Sequence, residues 1–474
     1  MKIDTNLELN YEFQDIVKLF LPVEFETKDI EIKHFLNQTE NEIINTYNIK
    51  IEGEDCFYEK KSEVNKFISA KTFAKIGLYE IFSKIYNKNM PYGALTGIRP
   101  VKFCYDLFSK GLPKTSIKNF LINNFHVSNE KVDLIIDIII NQDKLDLNDK
   151  LVDFYVNIPF CTSRCSYCSF ISMETGKAGN LIDEYVDKLV EEIEKTKKIL
   201  MENYYIVKNV YIGGGTPTSL STSQLEKILN VLSFRTKEFT VEAGRPDTIT
   251  KEKLDLLKKY NVTRISINPQ TFNDNVLKKI GRNHTSMETL NAYKLARNYD
   301  FDINMDLIMG LPYDTIKSFK ETIDIATYLE PDNITVHTLA LKRSSKLKES
   351  DEDIFKNENK VKKMSEYASE KLKETGYKPY YLYRQKNMIN SLENVGYFKD
   401  NKICYFNIDS MDELSSIVAC GANAISKRVF SLTNRIERSA NVKDIKEYNS
   451  RVDEMVERKR ELFSMSEFSF RDKK

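Results

Sequence analysis

Between residues 151 and 345 the chain alternates six times between a short apolar, β-branched run and an amphipathic stretch. The strand-like runs are 154–158, 209–212, 238–242, 264–268, 302–309 and 333–341, and helical patterns such as 181–200, 223–232, 251–260, 287–298 and 316–328 lie between them. Strands separated by helices of this length form right-handed βαβ units on a parallel sheet. Six such units fit an α/β fold built on a partial, TIM-like (β/α)6 barrel, in which chemistry belongs on the loops after the strands. The expected organisation is an accessory region at 1–150, a core barrel at 151–345 and a smaller C-terminal, substrate-side region at 346–474.

The loops can be checked against that expectation. After the first run comes Cys161-Thr162-Ser163-Arg164-Cys165-Ser166-Tyr167-Cys168, three of the chain's seven cysteines spaced C-x3-C-x2-C. Thiolates converging on one loop need a shared cation. A structural zinc site usually pairs two cysteines with two more ligands, and none of the four histidines is near this loop. An iron–sulfur cluster usually takes four cysteines, so a cluster held by three leaves one iron open to an outside ligand. After the second run comes Gly213-Gly214-Gly215-Thr216-Pro217, where the missing side chains expose peptide groups to a small polar ligand or make a tight strand-to-helix turn. The third run ends in Glu242 and Gly244-Arg245-Pro246, and the fourth in Asn268-Pro269-Gln270. Gly281-Arg282-Asn283-His284 comes next, the fifth run carries Asp306 and ends in Gly310-Leu311-Pro312, and the sixth ends in His337-Thr338-Leu339-Ala340 before Lys342-Arg343. Each of these residues singly reads as a cap or a turn. Their recurrence at the same end of successive strands reads as a barrel-mouth site.

Composition narrows the partners. Lys plus Arg is 71 and Asp plus Glu is 70, so no global basic field draws the chain to nucleic acid. The longest apolar run, 132–140, is interrupted by Asp133 and Asp137 and is too short to span a bilayer. The first residues lack a basic-then-apolar signal pattern, and an odd number of scattered cysteines suits a reducing compartment; a soluble, cytoplasmic protein is expected.

The flanks carry less chemistry. Residues 1–150 read as a mostly helical α+β region, with helical periodicity at 65–86, 101–109, 115–124 and 129–141 and some strand near 7–23. Arg99 and Lys102, in and after a Gly- and Pro-punctuated loop, are candidates for an anion contact or for packing only. Past 345, a charged amphipathic helix is expected at 352–375, an apolar segment at 415–427 and a terminal helix at 442–460. Cys404 and Cys420 read as buried apolar thiols, and the tail from Arg471 as frayed.

The cysteine loop, GGGTP, Glu242, RISINPQTF, GRNH and DLIMGLP together resemble the radical S-adenosylmethionine superfamily, and within it the oxygen-independent coproporphyrinogen III dehydrogenase group. GALTGIRPVK, YYLYRQKN, ENVGY and RIERS extend the resemblance, to the HemZ-like subgroup, over nearly the whole chain. The resemblance implies that Cys161, Cys165 and Cys168 hold a [4Fe–4S] cluster whose open iron takes the amino and carboxylate groups of S-adenosylmethionine, releasing a 5′-deoxyadenosyl radical on reduction. It implies cofactor contacts from Tyr155, Tyr167, Gly214, Gly215, Thr216, Glu242, Gln270, Arg282, Asp306 and Ala340. Carboxylates at Glu242 and Asp306 suit an ammonium or a ribose hydroxyl, and Arg282 suits a carboxylate. The implied reaction is oxidative decarboxylation of coproporphyrinogen III in haem biosynthesis, with a low-potential electron donor such as flavodoxin or ferredoxin. A substrate with four propionates needs cations and aromatic walls; Arg245, Lys342, Arg343, Arg384 and Lys386, with Tyr380, Tyr381 and Tyr383, are candidates by position.

Phe170 stands where the dehydrogenases carry a fourth cysteine and where the related haem-chaperone subgroup carries phenylalanine. Three functions are therefore carried forward: the dehydrogenase, a chaperone that binds and delivers haem, and a radical enzyme acting on haem by methyl transfer or ring opening.

Overall fold

The computed structural model describes residues 1–21, 28–97, 99–142, 148–168, 173–340, 358–385, 392–433 and 435–468. Phe170, Lys342, Arg343, Lys386 and the tail from Arg471 lie outside the described residues, as does the start of the helix expected at 352–375. The chain forms two compact units, one of residues 1–140 with 382–393 and one of 141–381 with 394–474.

The first unit opens with a four-stranded sheet ordered β1 (Lys2–Thr5), β2 (Ile30–Gln38), β3 (Glu42–Ile51), β4 (Glu54–Glu63). β1 runs parallel to β2, and β2, β3 and β4 form antiparallel hairpins. In β2, Ile30, Ile32, His34 and Leu36 are buried while the residues between them are not, the period-2 pattern of a half-buried strand. The strand expected near 7–23 is instead the helix Asn10–Phe20, because Phe13, Ile16, Val17 and Phe20 recur at helical spacing and all are buried. The helix Ala70–Ile85 packs with it, and Tyr47 of β3 donates from its hydroxyl to Ala74 O at 2.7 Å. The helices Pro100–Ser109, Ile117–Phe125 and Asn129–Asn141 come next, close to their expected positions. Lys102 lies 3.9 Å from Asp106 one helical turn on, so its charge is directed at a carboxylate within its own helix.

In the second unit the six expected strands are present: β5 (Leu151–Ile158), then, past the short parallel pair β6 (Phe160–Cys161) and β7 (Met173–Glu174), β8 (Ile206–Gly214), β9 (Glu238–Glu242), β10 (Arg264–Ser266), β11 (Asp302–Met309) and β12 (Asn333–Thr338). All six pair in parallel in the order β5-β8-β9-β10-β11-β12. The helices Leu181–Glu202, Thr222–Val231, Lys251–Lys259, Ser286–Ala296 and Ile316–Leu329 connect them. Val152, Phe154, Val156, Val210, Ile212, Val241 and Ile265 of the strands and Val186, Leu189, Ile193, Leu225 and Leu257 of the helices belong to one buried core.

The sheet extends past the expected six strands on both sides. β13 (Lys378–Tyr383) and β14 (Asn394–Phe398) lie beyond β12, with β14 antiparallel to it. β15 (Ser416–Cys420) adds parallel to β5, and antiparallel β16 (Ile425–Phe430) and β17 (Arg435–Ala440) lie outside it. The apolar segment expected at 415–427 is thus a strand, a turn and the start of the next strand. The terminal helix expected at 442–460 is two helices, Ile445–Ser450 and Val452–Ser464, interrupted at Arg451, whose φ of −125° and ψ of 24° are not helical. No helix among the described residues is long and apolar enough to cross a membrane.

A helix from the C-terminal part, Tyr405–Asp412, docks where the barrel strands begin. Its N-terminal Tyr405 N–H donates to Glu238 Oε2 at 3.1 Å, a carboxylate at the positive end of a helix dipole. Arg264, at the start of β10, donates to the carbonyls of Lys402 and Ile403 just ahead of this helix. Phe406 then stacks on Tyr211, with ring centroids 4.3 Å apart, and on Tyr155. Cys404 and Cys420 are buried as expected but hydrogen-bonded: Cys404 Sγ donates to Glu238 and Cys420 Sγ to Thr196 Oγ1. Burial, with Glu238 beside one thiol and Glu192 near the other, pushes both pKa values up.

Candidate functional site

The site is assembled from the segments after β5, β8, β9, β10, β11 and β12, all at the carboxyl end of the sheet. Cys161 ends the two-residue strand after β5, Cys165 is buried and Cys168 closes a turn in which its N–H donates to Cys165 O at 3.2 Å. The loop is pinned to the segment after β10 by Ser166 N–H to Ile280 O at 2.9 Å and Ser163 Oγ to Gly281 O at 3.3 Å. Among the described residues no three His, Cys, Asp or Glu side chains converge on one position for a single ion.

The glycines of the second loop have steric reasons to be glycine. Gly214 has φ of +108°, and a Cβ there would lie 2.2 Å from Asn157 Oδ1. A Cβ on Gly215 would lie 2.4 Å from Phe160 O and 3.0 Å from Cys161 Sγ. The peptides of Gly215 and Thr216 donate to Ile158 O and Phe160 O, both at 2.7 Å, and Thr216 Oγ1 is 3.5 Å from Cys161 Sγ. This loop therefore lies directly against the first cysteine.

Glu242 accepts a hydrogen bond from the Tyr211 hydroxyl at 2.6 Å. Burial, reinforced by the charge of Asp306, raises its pKa from an ordinary 4.5 to about 7. Asp306 is half-buried, and against the desolvation there His337 (Nε2 to Oδ1 3.6 Å) and Asn304 (Nδ2 to Oδ1 2.9 Å) hold it below the ordinary value. Two neighbouring carboxylates are thus pushed in opposite directions, one toward a proton and one toward a charge. The sign for stability comes from linkage. Glu242 contributes stability that is complete below about pH 4.5 and lost as pH rises through about 7. The unfolding free energy of cofactor-free protein is expected to fall across that window by up to ~1.4 kcal/mol per pH unit, and Glu242→Gln to flatten the slope in urea titrations. An unchanged slope in the variant rules Glu242 out as its source.

Arg282 is not an open fork. Its Nη1 donates to Gly244 O at 3.0 Å and Asn268 O at 2.9 Å, and its Nε to the Tyr167 hydroxyl at 3.3 Å. It ties the ends of β9 and β10 to the cysteine loop. Gln270 sits in the left-handed region at φ of +66°, with its N–H on Asp306 O and its carbonyl on Ile308 N. Tyr155 donates to Asn157 Oδ1 at 3.0 Å and stacks on Tyr211 at 6.2 Å. Ala340 lies two residues past β12, half-buried.

Several buried polar atoms here have no hydrogen-bond partner among the described residues: Gln270 Oε1, Asn268 Oδ1, Arg245 Nη2 and both ring nitrogens of His284. Burial, with Arg282 and Arg245 nearby, lowers the His284 pKa to about 3. Orphaned groups of this kind mark a place where a polar ligand is expected. Beside a three-cysteine loop and a glycine floor, they fit a cluster with a small amino-acid-like ligand.

The expected substrate side fares differently. Tyr380 and Tyr381 are core residues: Tyr380 is fully buried, and Tyr381 lies over Gly396 with its hydroxyl 3.3 Å from Thr335 Oγ1. Arg384 belongs to the first unit, stacked on Tyr92 and donating to Leu95 O at 2.6 Å. Arg245 is buried against Cys165. Tyr211 and Asn157, which hold Glu242 and Gly214 in place, were not expected as site residues. Their one sequence signal is that they alternate with the apolar residues of β8 and β5.

The sequence profile of the Radical SAM superfamily matches residues 155–326. HemZ of Bacillus subtilis (strain 168), an oxygen-independent coproporphyrinogen-III oxidase-like protein, is 36% identical over 456 residues, covering 92% of this chain and 90% of HemZ. The heme chaperone HemW of the same organism is 38% identical over 192 residues, 39% of this chain and 49% of HemW. The solved structure of the coproporphyrinogen III oxidase HemN of Escherichia coli has a similar fold, with a TM-score of 0.52 at 23% identity over 65% of this chain and 70% of that one.

Proposed function

Since the chain belongs to the radical S-adenosylmethionine superfamily, as a HemZ-like member of its coproporphyrinogen-oxidase group, we propose that it converts coproporphyrinogen III to protoporphyrinogen IX. The similarity to HemZ carries this reading: it runs through 92% of the chain, whereas the similarities to HemW proteins cover 39–63% of it.

A [4Fe–4S] cluster and S-adenosylmethionine are its cofactors, and when bound they supply the abstraction of a hydrogen atom from carbon. Cys161, Cys165 and Cys168 hold the cluster. The peptide edge of Gly214, Gly215 and Thr216, beside Cys161, meets the methionine end. Glu242, Gln270 and Asp306 receive the remaining polar groups of the cofactor, with Tyr155, Tyr167 and Ala340 around them, and Arg282 keeps the cysteine loop against β9 and β10. Each of two propionates loses one β-hydrogen atom, CO2 and one electron to leave a vinyl group. Both electrons would go to an acceptor outside the chain, and a flavodoxin- or ferredoxin-type donor would supply the reducing electron the cofactors need.

The test is anaerobic incubation of reconstituted, reduced protein with S-adenosylmethionine and coproporphyrinogen III. Protoporphyrinogen IX and two CO2 per substrate are expected. Stoichiometric haem binding without turnover replaces this reading by the haem-carrier one, which Phe170 and the HemW relatives favour. Consumption of haem itself, with a methylated or ring-opened product, replaces it by the third.

A further inference from the structure

Arg245, placed by its motif among the substrate-side cations, is only 3% exposed. Its Nη1 donates to Cys165 Sγ at 3.8 Å, the long end for an N–H to sulfur, and its Nε donates to Asp247 Oδ1 at 3.1 Å. Asp247 Oδ2 accepts from Thr162 Oγ1 at 3.1 Å, so the same carboxylate holds both the arginine and the cysteine loop. The Arg245 carbonyl accepts from Thr248 N–H at 2.9 Å and Thr248 Oγ1 at 2.7 Å, and that hydroxyl meets Thr218 Oγ1 at 2.6 Å. The guanidinium thus has a fixed place, reached from β9, against a sulfur 80 positions earlier in the chain.

Burying a guanidinium is costly unless its partners carry compensating charge. Asp247 compensates at one edge. A neutral thiol offers little at the other, and Nη2 has no hydrogen-bond partner among the described residues. A thiolate on a cluster supplies the missing negative charge. We propose that Arg245 tunes the cluster: by a charge-assisted hydrogen bond to Cys165 Sγ it favours the one-electron-reduced, more negative state and raises the reduction potential. Hydrogen bonds to ligand sulfurs and nearby charge are known levers on that potential. The inference rests on Cys165 being a cluster ligand. Arg245 touches no substrate in this role and is a positioning residue.

The test is a potentiometric titration of the reconstituted protein with dithionite and mediators, tracking the electron paramagnetic resonance signal of the reduced cluster as it takes up one electron. Iron and sulfide contents of wild type, Arg245→Met and Arg245→Lys are expected to be equal. At the wild-type midpoint, the reduced-to-oxidised ratio of Arg245→Met is expected to fall at least tenfold, a downward shift of ~59 mV for a one-electron couple. Arg245→Lys, which keeps the charge but not the fork, is expected to shift less. A fully loaded Arg245→Met protein with an unchanged midpoint overturns the proposal. Should that variant lose its cluster, wild-type protein labelled with 15N-arginine decides: the reduced cluster is expected to show a weak arginine-nitrogen hyperfine coupling, and its absence overturns the proposal. Wild type that takes up no iron and sulfide overturns the cluster reading itself.

Discussion

Cys165→Ala is expected to abolish the cluster and, with it, all cleavage of S-adenosylmethionine. Three thiolates are already one fewer than a cluster usually takes, so losing one leaves two. The side chain is 8% exposed and lies between the Arg245 guanidinium and the turn to Cys168. The visible absorbance near the sulfur-to-iron charge-transfer region, the iron and sulfide contents, and 5′-deoxyadenosine formation should all fall to background. The fold should survive, because the loop is held by backbone groups, Cys168 N–H to Cys165 O and Ser166 N–H to Ile280 O, that alanine keeps. Circular dichroism and the thermal midpoint check that. Cys161→Ala and Cys168→Ala should behave alike. Cys404→Ala and Cys420→Ala should keep a full cluster, since those thiols are hydrogen-bonded to Glu238 and Thr196 at other sites. A Cys165→Ala protein that retains cluster and cleavage would show the ligand assignment to be wrong.

Lys459→Met is expected to produce the largest loss of stability, ~3–5 kcal/mol, the cost of leaving a buried charge without its counter-ion. Lys459 Nζ pairs with Glu192 Oε1, and the two side chains are 1% and 0% exposed. The carboxylate also accepts from the Tyr448 hydroxyl and the Gly421 N–H, both at 2.6 Å, and from Asn441 Nδ2 at 2.7 Å. Removing the lysine leaves those neutral donors to hold a full negative charge. The effect should also reach the site. The Gly421 turn lies against Asn157, whose Nδ2 donates to Ala422 O at 2.7 Å and whose carbonyl accepts from Tyr185 at 2.7 Å. Asn157 Oδ1 in turn faces Gly214. The double variant Glu192→Gln, Lys459→Met should recover part of the loss, because no charge is left stranded. Urea unfolding of the three proteins measures both effects. A double variant no more stable than Lys459→Met would place the cost in lost lysine packing instead of stranded charge.

Much of the barrel and of its mouth was legible from local pattern. β-branched runs of strand length alternating with amphipathic helices identify β5, β8, β9, β10, β11 and β12, and the cysteines and glycines fall at strand ends because side-chain chemistry and turn geometry are written within a few residues. The apolar residues of 7–23, taken without their spacing, suit either a strand or a helix; the buried Phe13, Ile16, Val17 and Phe20 settle the helix. The strands β2, β3 and β4 are hard to read locally because their polar alternate positions dilute the apolar signal, as in Ile30-Glu31-Ile32-Lys33.

The roles of individual charged residues were not legible in this way. Arg245 and Arg384 look alike in sequence as cations beside motif residues, yet one lies against Cys165 and the other on Tyr92. Tyr380 and Tyr381 look like pocket walls and are core. Glu192 and Lys459 are 267 positions apart, and nothing in either neighbourhood announces the other. The sequence by itself determined the alternation, the three-thiolate loop and the family those motifs belong to, since each depends on periods of two to four residues or on fixed short spacings. Only the tertiary structure decided which cation meets which anion. That choice depends on which groups are carried out of water together, and the low dielectric that makes an unpaired charge costly exists only once the chain has packed.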